Sequence, residues 1–259
     1  MLILLPPSEG KATPAEGPPL DLASLSFPAL TRTRERVLDG LIRVSGQRNA
    51  LSVLGVAPGL AALVERNTGL RSAPTEPAER VYTGVLYEAL GLTTLPRAAR
   101  ARARSSVLIV SALFGALRPY DAIPAYRLSM DVELSRIGAL ARLWRLVLDP
   151  VITAAAGDGP IIDCRSSTYA AAWRPSRALS ARVMQVRVLQ ERAGMRTIVS
   201  HMAKKTRGEV ARELLTSRRD IRRPEDVARA LERAFTIETT PPARPGAGWT
   251  IDVIVHADR

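Results

Sequence analysis

One cysteine, Cys164, in 259 residues excludes an internal disulfide, and with two histidines, His201 and His256, the chain lacks ligands for a zinc site built from Cys and His. Aromatic residues are 4% of the chain, too few for the stacking platforms of single-strand nucleic-acid binders. No apolar run approaches the roughly 20 residues of a membrane helix. The opening MLILL passes straight to Pro6 and Pro7, without a basic n-region or a long apolar stretch, so a secretory leader is not expected. A cytoplasmic protein that avoids membranes is the expectation. Lysine is also scarce: of 37 basic residues only Lys11, Lys204 and Lys205 are lysines, and the other 34 are arginines. In such a background, lysine is expected mainly where a compact or titratable amine does what a guanidinium cannot.

What is present is an ordinary globular composition, 46% apolar and 24% charged, with a net charge of +12. Residues 170–223 hold 14 Lys plus Arg against Glu191, Glu209, Glu213 and Asp220. A polyanionic partner held by backbone electrostatics follows from that excess.

Period and punctuation predict an alternating α/β chain forming one domain over 1–259. Strands are expected at Leu2–Leu5, Val107–Ser111, Ile161–Cys164, Val183–Leu189, Thr197–Ser200 and Thr250–Val255, several of them continuous apolar runs that suit a sheet covered on both faces. Helices are expected at Leu30–Gln47, Gly59–Asn67, Ile137–Leu148, Lys205–Ser217 and Pro224–Ala234, with Pro-rich loops at Ala12–Pro28 and Thr239–Gly248. The Gly and Pro turn Leu54–Ala61 loosely matches a helix-hairpin-helix, whose backbone N–H groups hold a DNA phosphate; a plain helical hairpin is the alternative.

Four polar clusters follow strand candidates. After the first comes Pro6-Pro7-Ser8-Glu9-Gly10-Lys11, where backbone N–H groups and the Lys11 ammonium suit an anion, although the GxxxxGK[ST] spacing is absent. Ser8 and Lys11 also match SxxK, but Pro7 and Gly10 oppose the helical turn that dyad needs. After the second, Arg118 and Arg127 can clamp phosphates with Asp121 orienting one of them, or an Arg–Asp pair can brace the loop. The third is Asp163-Cys164-Arg165-Ser166-Ser167-Thr168-Tyr169, in which Cys164 reads either as a thiol activated by Arg165 or as buried filler. In the fourth, Lys204, Lys205 and Arg207 stand beside a helix start, as an anion site or a solvated charge run, and His201 reads as a core or supporting imidazole. Parallel strands would bring Lys11, Arg118, Arg127, Arg165, Lys204 and Arg207 into one cleft.

At these residues the chain resembles the YaaA family of bacterial peroxide-stress proteins. The resemblance rests on MLIL with its Pro and Lys loop, VYTG at Val81–Gly84, SALFGALRPYDAIPAYRLSM at Ser111–Met130, Ser166 with Tyr169, and AKKTRG at Ala203–Gly208. It implies one mixed α/β domain with a central mixed sheet, flanking helices, a basic cleft and a helix-hairpin-helix-like element. It also implies a cytosolic role limiting damage from peroxide and free iron, with binding to duplex or branched DNA. Motifs and resemblance together nominate Ser8, Lys11, Tyr82, Arg118, Arg127, Arg165, Ser166, Tyr169, Lys204, Lys205 and Arg207 as ligand contacts. Two functions follow. A non-catalytic monomer that binds DNA phosphates with little sequence preference ranks first. The alternative is an enzyme on a small phosphorylated or nucleotide-like substrate, with Lys11 or Lys204 as base or phosphate ligand and Asp121 and Tyr126 orienting groups. No cofactor or metal is expected, and iron sequestration lacks a His and carboxylate cluster of ligand spacing.

Overall fold

Leu2–Leu5 (β1) and Val107–Ser111 (β2) are buried at every position, as continuous apolar strands inside a two-sided sheet must be. The computed structural model describes residues 1–192, 195–198 and 200–256. Between these strands run helices α1 (Thr31–Ser45), α2 (Val85–Leu90) and α3 (Arg97–Ser106), with shorter helical turns between them. After β2 come β3 (Gly115–Leu117), α4 (Leu148–Ala156), β4 (Ile161–Asp163), β5 (Val183–Arg192), β6 (Met195–Ile198), α5 (Ser200–Thr216), α6 (Pro224–Leu231), β7 (Thr236–Thr240) and β8 (Trp249–His256). One eight-stranded mixed sheet results, ordered β7-β8-β5-β4-β1-β2-β3, with β6 also pairing β5. The five strands β8, β5, β4, β1 and β2 are parallel; β7, β3 and β6 pair antiparallel with their neighbours. This is the mixed α/β single domain that the pattern predicts.

Differences are local and have physical causes. The stretch expected as one helix at Gly59–Asn67 is a 3-10 turn at Pro58–Leu60, a short helix at Ala61–Glu65 and a second 3-10 turn at Arg66–Gly69. The helix expected at Ile137–Leu148 is the shorter Leu140–Arg145, and a separate helix, α4, begins at Leu148. Helix α3, RAARARARSS, escapes hydrophobic periodicity because its buried face is Ala99, Ala103 and Ser106, small residues that let it lie close to its neighbours. Helix α5 begins at Ser200, earlier than the expected Lys205, so Lys204, Lys205 and Arg207 lie inside the helix rather than beside its start. Of the strand expected at Thr197–Ser200, Val199 lies outside the described residues, as does the side chain of His201. Gly115, at φ 72°, leaves room for the Trp144 ring, which a Cβ would strike, and Trp144 Nε1 donates to the Ala112 carbonyl at 2.8 Å. Inside the fold, Arg34 is fully buried and donates to the carbonyls of Phe114, Ser26 and Ala116 at 2.9, 2.7 and 2.7 Å.

Candidate functional site at the carboxyl ends of the strands

Strands β4, β1 and β2 lie side by side and parallel, so the segments that follow them leave the sheet at one edge. Beyond β1 the Pro6–Lys11 loop pairs with Val81–Thr83: Ala12 N–H donates to Val81 C=O at 2.9 Å, and Lys11 faces Tyr82 in an antiparallel bridge. That pairing aims Lys11 inward. Its Nζ donates to the carbonyl of Ser8 at 2.6 Å and of Glu9 at 3.5 Å, and lies 4.3 Å from the Tyr126 ring centroid and 5.6 Å from that of Tyr82. Among the described residues no carboxylate comes within ion-pair distance of it, because Glu9 turns to Arg127 at 3.7 Å. Burial, and then the Arg127 charge, lower Lys11 to about 7 against a smaller opposing pull from Glu9. Amine and ammonium therefore coexist at neutral pH.

Around it stand four of the five tyrosines of the chain. Ser111 Oγ, at the end of β2, accepts the N–H groups of Leu113 and Phe114, both at 3.2 Å, and so has its own proton left for Tyr126 Oη at 2.7 Å. Tyr126 Oη also shares a hydrogen bond with Tyr82 Oη at 2.9 Å, so the three hydroxyls form one chain. Tyr87 donates to Pro6 C=O at 2.7 Å, and its ring centroid lies 5.3 Å from that of Tyr82. Tyr169, beyond β4, is near Ser129, Asp131, Glu9 and Arg127. Burial, the leading cause, holds all four phenols above their ordinary value, so they are neutral hydroxyls. Arg127 is fixed through its backbone, whose N–H and C=O both bond the buried Asn67 side chain at 2.9 Å.

The other nominated residues divide. Arg118 reaches the carbonyls of Ser105 and Val107 at 2.7 and 2.9 Å, at the opposite end of β2 from Ser111, so it does not join the Lys11 cluster. Asp121 braces the same loop, accepting from Ser26 N–H, Ser26 Oγ and Arg118 N–H at 3.0, 2.7 and 2.8 Å. Arg165 is buried and fully engaged: Nε and Nη2 meet Asp163 at 2.8 and 2.7 Å, while Nη1 and Nη2 reach the carbonyls of Tyr169 and Trp173 at 3.2 Å. It shapes the turn that presents Tyr169. Ser166 precedes the short helix Ser167–Ala170, and its C=O accepts Ala170 N–H at 2.8 Å. Ser8 hydroxyl donates to the Gly10 carbonyl within its own loop.

The fourth cluster is placed by its helix. Gly208 of α5 lies against the Leu86 carbonyl and Ala89, leaving no room for a Cβ, and Arg212 donates to the carbonyls of Leu90 and Gly91 at 2.9 and 3.2 Å. Helices α5 and α2 therefore run in the same direction. Lys204 lies one turn before Gly208 on the same face of α5. It is exposed, as is Lys205, which pairs with Glu209 at 3.7 Å. Arg207 donates to Val186 C=O at 3.3 Å, lies near Cys164, and has a buried Nε with no partner among the described residues. Cys164 is fully buried, and burial pushes its thiol up to about 12. A thiol held protonated does not attack peroxide.

Ser111, Tyr87 and Asn67 belong to the site although the motif reading nominated none of them. Ser111 and Tyr87 do sit within or beside the quoted motifs; Asn67 carries no local signal, since it acts on residue 127. No group of three or more His, Cys, Asp or Glu side chains suited to a metal occurs among the described residues, nor does a helix long and apolar enough to cross a membrane.

Fold and site together define a mixed α/β protein with a lysine-and-tyrosine cluster at the carboxyl ends of its parallel strands. The family model described as peroxide stress protein YaaA matches residues 1–240, and the chain belongs to that family. It is 45% identical over 259 residues to a UPF0246 protein of Streptomyces coelicolor, covering 99% of both chains. To a UPF0246 protein of Corynebacterium efficiens it is 45% identical over 230 residues, 88% of this chain and 90% of that one. A Corynebacterium glutamicum relative, also a UPF0246 protein, is 38% identical over 247 residues, 93% and 96% of the two chains. Membership supports a role in peroxide stress.

Proposed function

We propose that this peroxide-stress protein binds duplex or branched DNA through its phosphates, with the arginine surface of α3 and the segment after α5 as the contact face. One observation carries the reading. Arg97, Arg100 and Arg104 project from successive turns of α3 into an open concavity of about 460 Å³, and Arg104 stacks 4.2 Å from the Tyr120 ring centroid. Only Arg100 of the three has a carboxylate partner among the described residues, Glu79. Arg102 of the same helix donates to the carbonyls of Leu215 and Ser217 at 2.6 Å, so the exposed Arg218, Arg219 and Arg223 continue the surface. Planar forks on an open face suit phosphate oxygens, which position a protein on DNA without reading sequence. The exposed turn at Ala57–Leu60, following Gly55 at φ 62°, offers a second backbone contact of the helix-hairpin-helix kind.

Fluorescence anisotropy on a duplex and on a four-way junction tests this. Affinity should fall by about tenfold or more between 50 and 200 mM salt if several phosphates are contacted. Replacing Arg97 and Arg104 by Ala should flatten the salt slope by about 2. Absence of binding at micromolar protein in low salt, or an unchanged slope in the double variant, would overturn the proposal.

A further inference from the structure

The Lys11 cluster has features that DNA binding leaves unused. Lys11 is a half-buried amine with no counter-ion among the described residues, and two backbone carbonyls hold its N–H groups. Arg127 is anchored by Asn67, and its carboxylate partner among the described residues is Glu9, whose side chain is 80% exposed. The hydroxyl chain from Ser111 through Tyr126 ends at Tyr82 Oη. A base, an anion holder and a terminal hydroxyl therefore meet where three parallel strands end.

We propose that this cluster is a proton-transfer site for a small carbonyl compound that carries a phosphate or a carboxylate. Arg127 takes the anionic group in place of Glu9. The Lys11 amine removes the proton next to the carbonyl and becomes the ammonium, and the C–H electron pair moves to the carbonyl oxygen, giving an enolate. Tyr82 donates a hydrogen bond to that oxygen and keeps its proton, as a phenol held neutral must. Return of the proton from Lys11 to carbon, on either side of the enolate, completes the cycle with no other reactant. A base that titrates near the working pH is suited to this step, and arginine cannot perform it. Tyr126 and Ser111 are positioning residues that hold the Tyr82 hydroxyl in the chain.

Solvent exchange tests the proposal without knowledge of the natural substrate. Pyruvate and dihydroxyacetone phosphate, one carboxylate and one phosphate, are incubated with the protein in D2O and their C–H signals are followed by NMR. The protein should speed exchange in at least one of them, and which one responds identifies the anion. Lys11→Arg and Lys11→Met should both abolish exchange while remaining folded, as their circular dichroism spectra check. Tyr82→Phe should slow exchange by ~10²-fold at unchanged half-saturation. Arg127→Gln should raise the half-saturating concentration by about tenfold or more. The rate should rise with pH through a midpoint near 7, the Lys11 value, and Tyr126→Phe should slow it without moving that midpoint. Exchange no faster than in buffer for both compounds, or full exchange by folded Lys11→Arg, would overturn the proposal and leave the DNA reading untouched.

Discussion

The two ends of the parallel strands hold their cations in opposite ways. At the carboxyl end the central cation is a single lysine, ringed by neutral hydroxyls, and the nearby Arg165 is locked to Asp163 and two carbonyls. Toward the amino end, Arg118, Arg182 and Arg102 cap carbonyls of strand and helix ends, while Arg104, Arg218 and Arg219 face solvent. Helix α5 runs from Ser200 past Gly208, which lies against the Leu86 carbonyl, to its carboxyl end, where Arg102 meets the carbonyls of Leu215 and Ser217. The basic stretch 170–223 is thus no continuous patch. Arg182, Arg187, Arg196, Lys205, Arg207, Arg212 and Arg222 are engaged within the fold, half of its 14 cations. A guanidinium has five donors, so it serves as readily to tie down carbonyls as to attract a polyanion.

Breaking the carboxyl-end brace should have the largest effect. Asp163→Ala leaves the buried Arg165 charge without its carboxylate, and a loss of about 3–5 kcal/mol in urea unfolding is expected. DNA affinity at the other end should survive wherever the variant is folded. Next comes Gly208→Ala, whose new methyl meets the Leu86 carbonyl; forcing α5 off α2 should cost about 1–3 kcal/mol by the same measurement. The arginines of the α3 surface should invert this pattern. Arg97→Ala with Arg104→Ala should change stability by no more than about 0.5 kcal/mol per site, yet weaken DNA binding and reduce its salt slope. A double variant that is unstable but binds normally would erase the distinction between the two ends.

The smallest effect is a pH dependence of stability. Lys11 falls from 10.5 to about 7 on folding, so between those values the unfolded chain binds the extra proton and stability rises with pH. Below about pH 7 the ammonium is present in both states and its burial penalty is fully felt. The unfolding temperature of wild type relative to Lys11→Met should therefore increase from pH 7 toward pH 10, as calorimetry can record. A flat difference would return Lys11 to the ordinary surface lysines.

Much of the fold is legible in the sequence. β1 and β2 have the predicted bounds, β5 and β8 lie within a few residues of theirs, and Pro224 with the following acids marks the start of α6. Helix α3 was not legible because alanine and arginine give no apolar stripe, although both favour helix. Of the site, the lysine scarcity pointed at Lys11, and the Ser111–Met130 motif contained Tyr126 and Arg127. The separation of Arg118 from them did not show, because residues nine apart in a loop can end on opposite sides of a sheet.

Sequence by itself determined the class of fold, the family, and the presence of one amine among many guanidiniums. Those follow from side-chain chemistry and local periodicity, which do not depend on what lies across the molecule. Only the tertiary structure decided which cations are free and what Lys11 faces. Asn67 grips residue 127, Ser111 orients a tyrosine 15 residues away, and Tyr82 pairs with Lys11 from 71 residues along the chain. Burial and hydrogen-bond direction are properties of such long-range neighbours, and they convert an ordinary lysine into one that titrates near neutrality.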